Sequence, residues 1–249
     1  VPRTIAVALS KGGTGKTTTA VNLAHGLARR GLRVLLADTD TQGQCAFLLG
    51  VKASAGIAEL LAGETQPDDC LLPARERLWL LAGGRDLAGI KRMVDRREFG
   101  GERILAESLA PIGGRFDYIL VDCAPGWDAL SVNALFAADE VLSPVSCEVL
   151  SLQGLGEFNR SVEAIRRYKP ELRLSYVLPT FADNRVRKTR EILDQLRAHF
   201  GKELCSPIRY SVKLSQAAGY GQTIFEFAPD SAGAVDYKTL VQRVLNGEG

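Results

Sequence analysis

Nine consecutive residues near the start of the chain, Ser10-Lys11-Gly12-Gly13-Thr14-Gly15-Lys16-Thr17-Thr18, combine glycines, lysines and hydroxyls in a pattern suited to holding a polyphosphate. Glycines let the backbone curl until several N–H groups converge on one anion. A helix starting directly after such a loop adds the positive end of its dipole. In that setting Lys16 reaches the β- and γ-phosphates and the Thr17 hydroxyl ligates Mg²⁺. Gly12, Gly13, Thr14, Gly15 and Thr18 complete the cradle. The bland alternative, a glycine-rich turn before a helix, leaves Gly-Lys-Thr directly after an apolar strand unexplained. One position departs from the usual G-x-x-x-x-G-K-[ST]: Ser10 stands where glycine is expected, and a second lysine, Lys11, lies five residues before Lys16. The backbone already surrounds the loop's own phosphates, so Lys11 does not reach them easily. A second subunit facing the first could receive it.

Two acidic segments accompany the loop. Asp38-Thr39-Asp40-Thr41-Gln42-Gly43 follows an apolar run, and two carboxylates two residues apart at the carboxyl end of a strand can serve a metal and an attacking water. Taken alone, such a pair is weak evidence. Asp122 ends the run Tyr118-Ile119-Leu120-Val121, and a carboxylate there is placed to hold Mg²⁺ directly or through water. The candidate metal set is therefore Thr17, Asp38 and Asp122.

These residues need a scaffold that presents strand ends together. Residues 4–9 read as a buried strand, 16–30 as a helix closed by Gly31, and 32–37 as a second strand, a βαβ unit that makes the sheet parallel from the outset. Further strands are expected at 78–81, 118–121, 140–144 and 174–178. Helices are expected at 57–61, 87–97, 103–109, 130–138, 155–168, 186–200 and 234–245. No Pro-, Gly- or Ser-rich linker and no repeat divides the sequence, so residues 1–249 read as a single α/β domain, a mostly parallel twisted sheet with helices on both faces. Hydrophobic residues at 46% and charged residues at 24% are ordinary for a globular protein. A net charge of +2 argues neither for nor against nucleic acid, so any basic surface has to be a local patch. The five scattered cysteines read as reduced, buried thiols of a cytosolic protein. No apolar run reaches membrane-spanning length and no signal peptide is expected.

The segment K-G-G-x-G-K-T-T resembles the deviant Walker A motif of the ParA/MinD group of ATPases. The resemblance implies a P-loop NTPase fold, with ATP and Mg²⁺ as cofactors and a weak, partner-stimulated ATP hydrolase activity. It also implies that Lys11 crosses an ATP-bound nucleotide-sandwich homodimer to the partner's phosphates. Asp38-Thr39-Asp40-Thr41-Gln42-Gly43 is similar to the group's D-x-D-P-Q-G, with Thr41 in place of Pro. By that likeness Asp40 positions the attacking water and Asp38 supports the site, so that Lys11, Lys16 and Asp40 form the catalytic set. Asp122-Cys123-Ala124-Pro125 resembles D-C-P-P, with Gly126-Trp127 where Ser-Leu is frequent. The likeness runs nearly the whole chain, through Asn133-Ala134-Leu135, Leu152-Gln153-Gly154-Leu155 and Val212-Lys213-Leu214-Ser215. It puts the adenine near residues 207–211, with Arg209 and Ser211 as its contacts.

Three relatives within that group compete. An iron–sulfur redox carrier needs a second cysteine beside Cys123's position, and none is offered. A MinD-like membrane switch needs a cationic amphipathic C-terminal helix, and the final helix carries only Lys238 and Arg243 as basic residues. A DNA-segregation ATPase needs basic residues gathered on one face. Arg185, Arg187, Lys188 and Arg190 cluster at the start of one helix and Lys213 follows, where the group's DNA surface lies; Lys91, Arg92, Arg96, Arg97 and Arg103 form another dense group. Each cluster alone can be a solvated helix face. The expected partners are non-specific double-stranded DNA and a ParB-type centromere-binding protein, with no membrane, and the expected location is the cytoplasm, on the nucleoid. With the phosphate loop beginning at residue 10, the expected form is the short one without an N-terminal helix-turn-helix.

Overall fold

Short apolar runs rich in Val, Ile and Leu, buried on both sides, make the central strands of this protein. A computed structural model describes residues 1–183 and 185–247, with the side chains of residues 149–151 outside the description. Among the described residues, β1 (Arg3–Val7), β2 (Val34–Asp38), β3 (Leu72–Arg75), β4 (Leu78–Leu81), β5 (Tyr118–Asp122), β6 (Glu140–Ser146) and β7 (Arg173–Thr180) form one sheet in the order β3-β4-β2-β5-β1-β6-β7. All neighbours are parallel except the edge pair β3 and β4.

The helices are α1 (Lys16–Ala28), α2 (Gln44–Leu48), α3 (Ile57–Ala62), α4 (Pro67–Cys70), α5 (Leu87–Asp95), α6 (Ile104–Gly113) and α7 (Ala129–Ala137), followed by α8 (Val149–Arg166), α9 (Arg187–Phe200), α10 (Val212–Gly219), α11 (Ile224–Phe227) and α12 (Ala232–Asn246). The pleat divides the core in two. Ile5, Val7, Leu36 and Leu120 face one side, where Leu23 and Leu27 of α1 and Leu240 and Val244 of α12 cover them. Ala6, Leu35, Ile119 and Val121 face the other, under residues of α3, α5, α6, α7 and α8. The expected α/β architecture, with helices on both faces of a mostly parallel sheet, is the observed one.

Local signals account for where the expected elements shifted. Strand β3 was not anticipated, because Pro73 and Arg75 interrupt any apolar run; both are tolerable at an edge. The five-residue α2 is too short to show a helical period. Helix α6 runs past Leu109 and through Pro111, and α8 begins six residues before the expected start at Leu155, Gly154 and Gly156 lying inside it.

Parallel register decides where the acids fall. Val7 pairs with Asp122 and Asp38 pairs with Asp122, so the carboxyl ends of β1, β2 and β5 lie side by side. The loop after β4 closes on them: a Cβ built on Gly83 would sit 2.7 Å from the backbone carbonyls of both Asp38 and Asp40. These are backbone atoms and cannot give way cheaply. Gly83→Ala is therefore expected to destabilise the protein by about 1–3 kcal/mol in urea unfolding, and a wild-type midpoint would show that the loop can move aside.

Candidate functional site

The loop between β1 and α1 has the conformation its glycines permit. Gly13 and Gly15 have φ of +71° and +83°, a region that side chains rarely adopt. Helix α1 starts immediately afterwards with no acid in its first turn, so its electropositive end is undiluted. The Thr14 carbonyl accepts a hydrogen bond from Thr180 Oγ1 at 3.0 Å, tying the loop to the end of β7, while Gly126 N–H donates to Ser10 O at 2.8 Å from the segment after β5. Buried Thr14 Oγ1 has no hydrogen-bond partner among the described residues.

The two loop lysines differ. Lys16 is 7% exposed and its ammonium donates to the Lys11 carbonyl at 2.9 Å, inside the curl of its own loop. Burial lowers its pKa, with Asp122 foremost among the charges opposing that effect. The Lys11 side chain points the other way, and its Nζ lies 3.3 Å from Glu148 Oε2 on the N-terminal flank of α8.

Beneath the loop lie Asp38 and Asp122, both fully or almost fully buried. Asp38 accepts the backbone N–H of Asp40 at 2.9 Å and of Cys45 at 3.1 Å. Burial nonetheless pushes its carboxyl up to about 6, the two backbone N–H bonds pulling against that shift. Asp122 is also raised, first by burial and then by the charge of Asp38, while hydrogen bonds from the Thr17 hydroxyl and the Cys45 thiol work in the opposite direction. Asp122 Oδ1 has no hydrogen-bond partner among the described residues. An orphaned buried carboxylate oxygen next to a threonine hydroxyl and a second acid suits a hard divalent cation, so Thr17 and Asp122 fit Mg²⁺, with Asp38 behind them. Asp40 lies at the rim, half-buried, its Oδ1 accepting Gln42 N–H at 2.9 Å and its carbonyl accepting Gly43 N–H at 3.0 Å.

A cavity of about 350 Å³ opens beside the loop, lined by Thr18, Phe181, Arg209, Tyr210, Ser211 and Leu214 among others. The segment expected to meet a base thus does flank the loop. The Arg209 guanidinium, however, is held by Asp236 of α12 at 2.7–3.1 Å and by the Ala232 carbonyl, so that segment's other atoms and the ring of Phe181 are better placed as cavity walls.

Arg185, Arg187, Lys188, Arg190 and Lys213 are all exposed, at and just before the start of α9 and in the first turn of α10; Asn184 lies outside the described residues. Arg185 pairs with Asp183 and Arg187 with Glu191, yet their side chains remain 90% and 87% exposed, and such pairs contribute little. Lys188 and Arg190 form no ion pair among the described residues. Lys213 Nζ lies 5.7 Å from the centre of the Phe227 ring.

Sequence reasoning missed two participants. Cys45, taken as a buried hydrophobe, lies between the acids, its thiol 3.4 Å from Asp122 Oδ2. Thr39 donates to the Asp122 carbonyl through both N–H and hydroxyl, at 2.9 and 2.8 Å, locking the ends of β2 and β5 together. Their proximity to an acid was visible in the sequence, but not their direction.

An AAA domain family matches residues 2–174. The chromosome-partitioning ATPase Soj of Thermus thermophilus is 40% identical over 245 residues, spanning 98% of this chain and 95% of Soj. The chain belongs to the ParA/Soj family of partitioning ATPases. It is an ATP hydrolase by that membership. Chromosome partitioning protein ParA of Caulobacter vibrioides is 34% identical across 99% of the chain and 95% of its own length. Among solved structures, cobyrinic acid a,c-diamide synthase from Mycobacterium smegmatis with bound ADP and magnesium superposes with a TM-score of 0.86 at 33% identity, over 99% of this chain and 95% of that one.

The raised carboxyl of Asp38 has a consequence for stability. Folded Asp38 keeps its proton to about pH 6, whereas the unfolded chain releases it near ~3.9. Between those values the folded state binds more protons, so this group's contribution to stability falls as pH rises. Buried His25, lowered to about 4, contributes in the opposite sense over much of the same window. Relative to Asp38→Asn, the wild type should therefore lose up to about 3 kcal/mol between pH 4 and 6. Parallel curves for the two proteins in chemical unfolding would remove the buried-acid reading.

Proposed function

We propose that this chain is an ATP-driven switch for partitioning DNA, in which ATP and Mg²⁺ bring two copies together and the pair binds DNA without sequence preference until hydrolysis releases it. The observation that carries the reading is the division between the two loop lysines, one enclosed by its own loop and the other 30% exposed and paired with Glu148 outside that loop. Lys16 stabilises the β- and γ-phosphates from within. Lys11 would leave Glu148, an exposed and weak partner, for the phosphates of a second copy. Asp40, at the rim, would orient the attacking water, and Thr17 and Asp122 would hold Mg²⁺, which neutralises charge building on the phosphate oxygens. The Thr39–Asp122 link gives the segment from Asp38 to Gly43 a rigid base, so loss of the γ-phosphate would be felt at a defined place. Adenine would occupy the cavity against Phe181 and the 209–211 segment.

Family membership and the exposed cations of α9 and α10 support DNA as the surface bound, and a ParB-type protein as the partner that stimulates hydrolysis, with the nucleoid as the location. A MinD-like membrane role would need α12 free to insert. Instead Tyr237, Leu240, Val241 and Val244 of that helix are buried against the domain, and no described helix is long and apolar enough to cross a membrane.

Two outcomes follow from this reading. Lys11→Ala should bind ATP with near wild-type affinity but stay monomeric by light scattering with ATP and Mg²⁺; full dimerisation of the variant would remove Lys11 from the subunit contact.

Random-sequence duplex should bind tightly with ATP and weakly with ADP. A single patch of a few cations gives binding on the order of 10⁻⁴–10⁻⁶ M, and pairing two patches makes the second contact intramolecular. Log affinity should fall linearly with log salt, with a slope near about −0.9 per phosphate neutralised, and Arg187→Ala with Lys213→Ala should make that slope shallower. Equal binding in the two nucleotide states would end the switch model.

A further inference from the structure

The first turn of α2 places a thiol where a magnesium site needs none. Gly43, at φ +59°, turns the chain so that Cys45 N–H reaches Asp38 and Cys45 Sγ reaches Asp122 Oδ2. One ligand atom from each of Asp38, Cys45 and Asp122 lies within 4.8 Å of the others, and all three residues are buried. A core cysteine ordinarily packs against apolar atoms; this one sits between two carboxylates, one of which keeps an oxygen without any hydrogen-bond partner among the described residues. Mg²⁺ takes oxygen ligands and has no use for sulfur. Zn²⁺ and its softer congener Cd²⁺ favour thiolate, and accept carboxylate oxygens beside it.

We propose that Asp38, Cys45 and Asp122 form a binding site for one thiophilic divalent cation of the zinc class, which competes with Mg²⁺ for Asp122. On binding, the Cys45 S–H bond breaks, a metal–thiolate bond forms, and the proton leaves to solvent by way of a neighbouring carboxylate; nothing is oxidised or reduced. Three protein ligands leave a fourth position open to water or a phosphate oxygen. Such an ion occupies the acid that the nucleotide's cation needs, so it acts as a brake on nucleotide turnover. Neither DNA nor dimerisation enters into this chemistry, and the site stands or falls independently of them. Cys70, Cys123, Cys147 and Cys205 belong to no comparable cluster among the described residues, so they serve as controls.

The test is titration of the nucleotide-free, full-length protein with CdCl₂, followed by the ultraviolet thiolate-to-metal charge-transfer band. The wild type and Cys147→Ser should each saturate at one ion per chain with the same band, and Mg·ATP in excess should suppress it. Cys45→Ser should lose the band and bind Cd²⁺ at least about tenfold more weakly, since removing even an outer-shell partner of a metal ligand costs about 10–100-fold. Anomalous scattering from wild-type crystals grown with CdCl₂ should place the ion on Cys45 Sγ, a reading that needs no variant to fold. A band unchanged in Cys45→Ser, a band lost in Cys147→Ser, or an anomalous peak away from Cys45 would overturn the site.

Discussion

Two carboxylates that share one buried spot set the terms for everything around them. The parallel register of β2 and β5 places Asp38 beside Asp122 at the floor of the phosphate loop, with essentially no solvent to screen them. Burial raises both acids, the charge of Asp38 raises Asp122 further, that of Asp40 raises Asp38, and Lys16 works against the shift at Asp122. Such a pair costs stability unless it is protonated or neutralised by a cation. A protein that keeps it has a site whose energy drops when a divalent ion arrives with a polyphosphate.

That constraint gives the surrounding geometry its purpose. Thr39 grips the Asp122 carbonyl, Asp38 grips the Asp40 and Cys45 amides, and Gly83 lets the loop after β4 close on the Asp38 and Asp40 carbonyls. The floor is buried and cross-linked by these bonds, whereas Lys11 and Asp40 are only partly buried and lie at the rim. In the proposed cycle the floor reads the presence of nucleotide and the rim conveys it to a second subunit, and thence to the cationic starts of α9 and α10.

Much of this was legible in the sequence, for identifiable reasons. The phosphate loop was plain because Gly13 and Gly15 fill backbone positions that few other residues could, and because an apolar strand precedes them and a helix follows. Strand β4 was located to the residue because its apolar run is short and sharply bounded. The partnership of Asp38 with Asp122 was not legible as geometry, since strand order is a long-range property that two similar apolar runs do not encode. Cys45 escaped because a single thiol carries no periodicity and its helix is one turn long. Arg209 does line the cavity beside the loop, but its guanidinium answers to Asp236, twenty-seven residues away, a pairing that sequence spacing does not reveal.

Thermal unfolding of Asp122→Asn, with and without Mg·ATP, tests the buried pair most directly. With one of the two charges replaced by a neutral amide of the same shape, the nucleotide-free variant should unfold at the wild-type temperature or above it, and addition of Mg²⁺ to the ATP-bound variant should give none of the further rise that it gives the wild type. A variant that unfolds well below the wild type and still gains the full Mg²⁺-dependent rise would contradict the account.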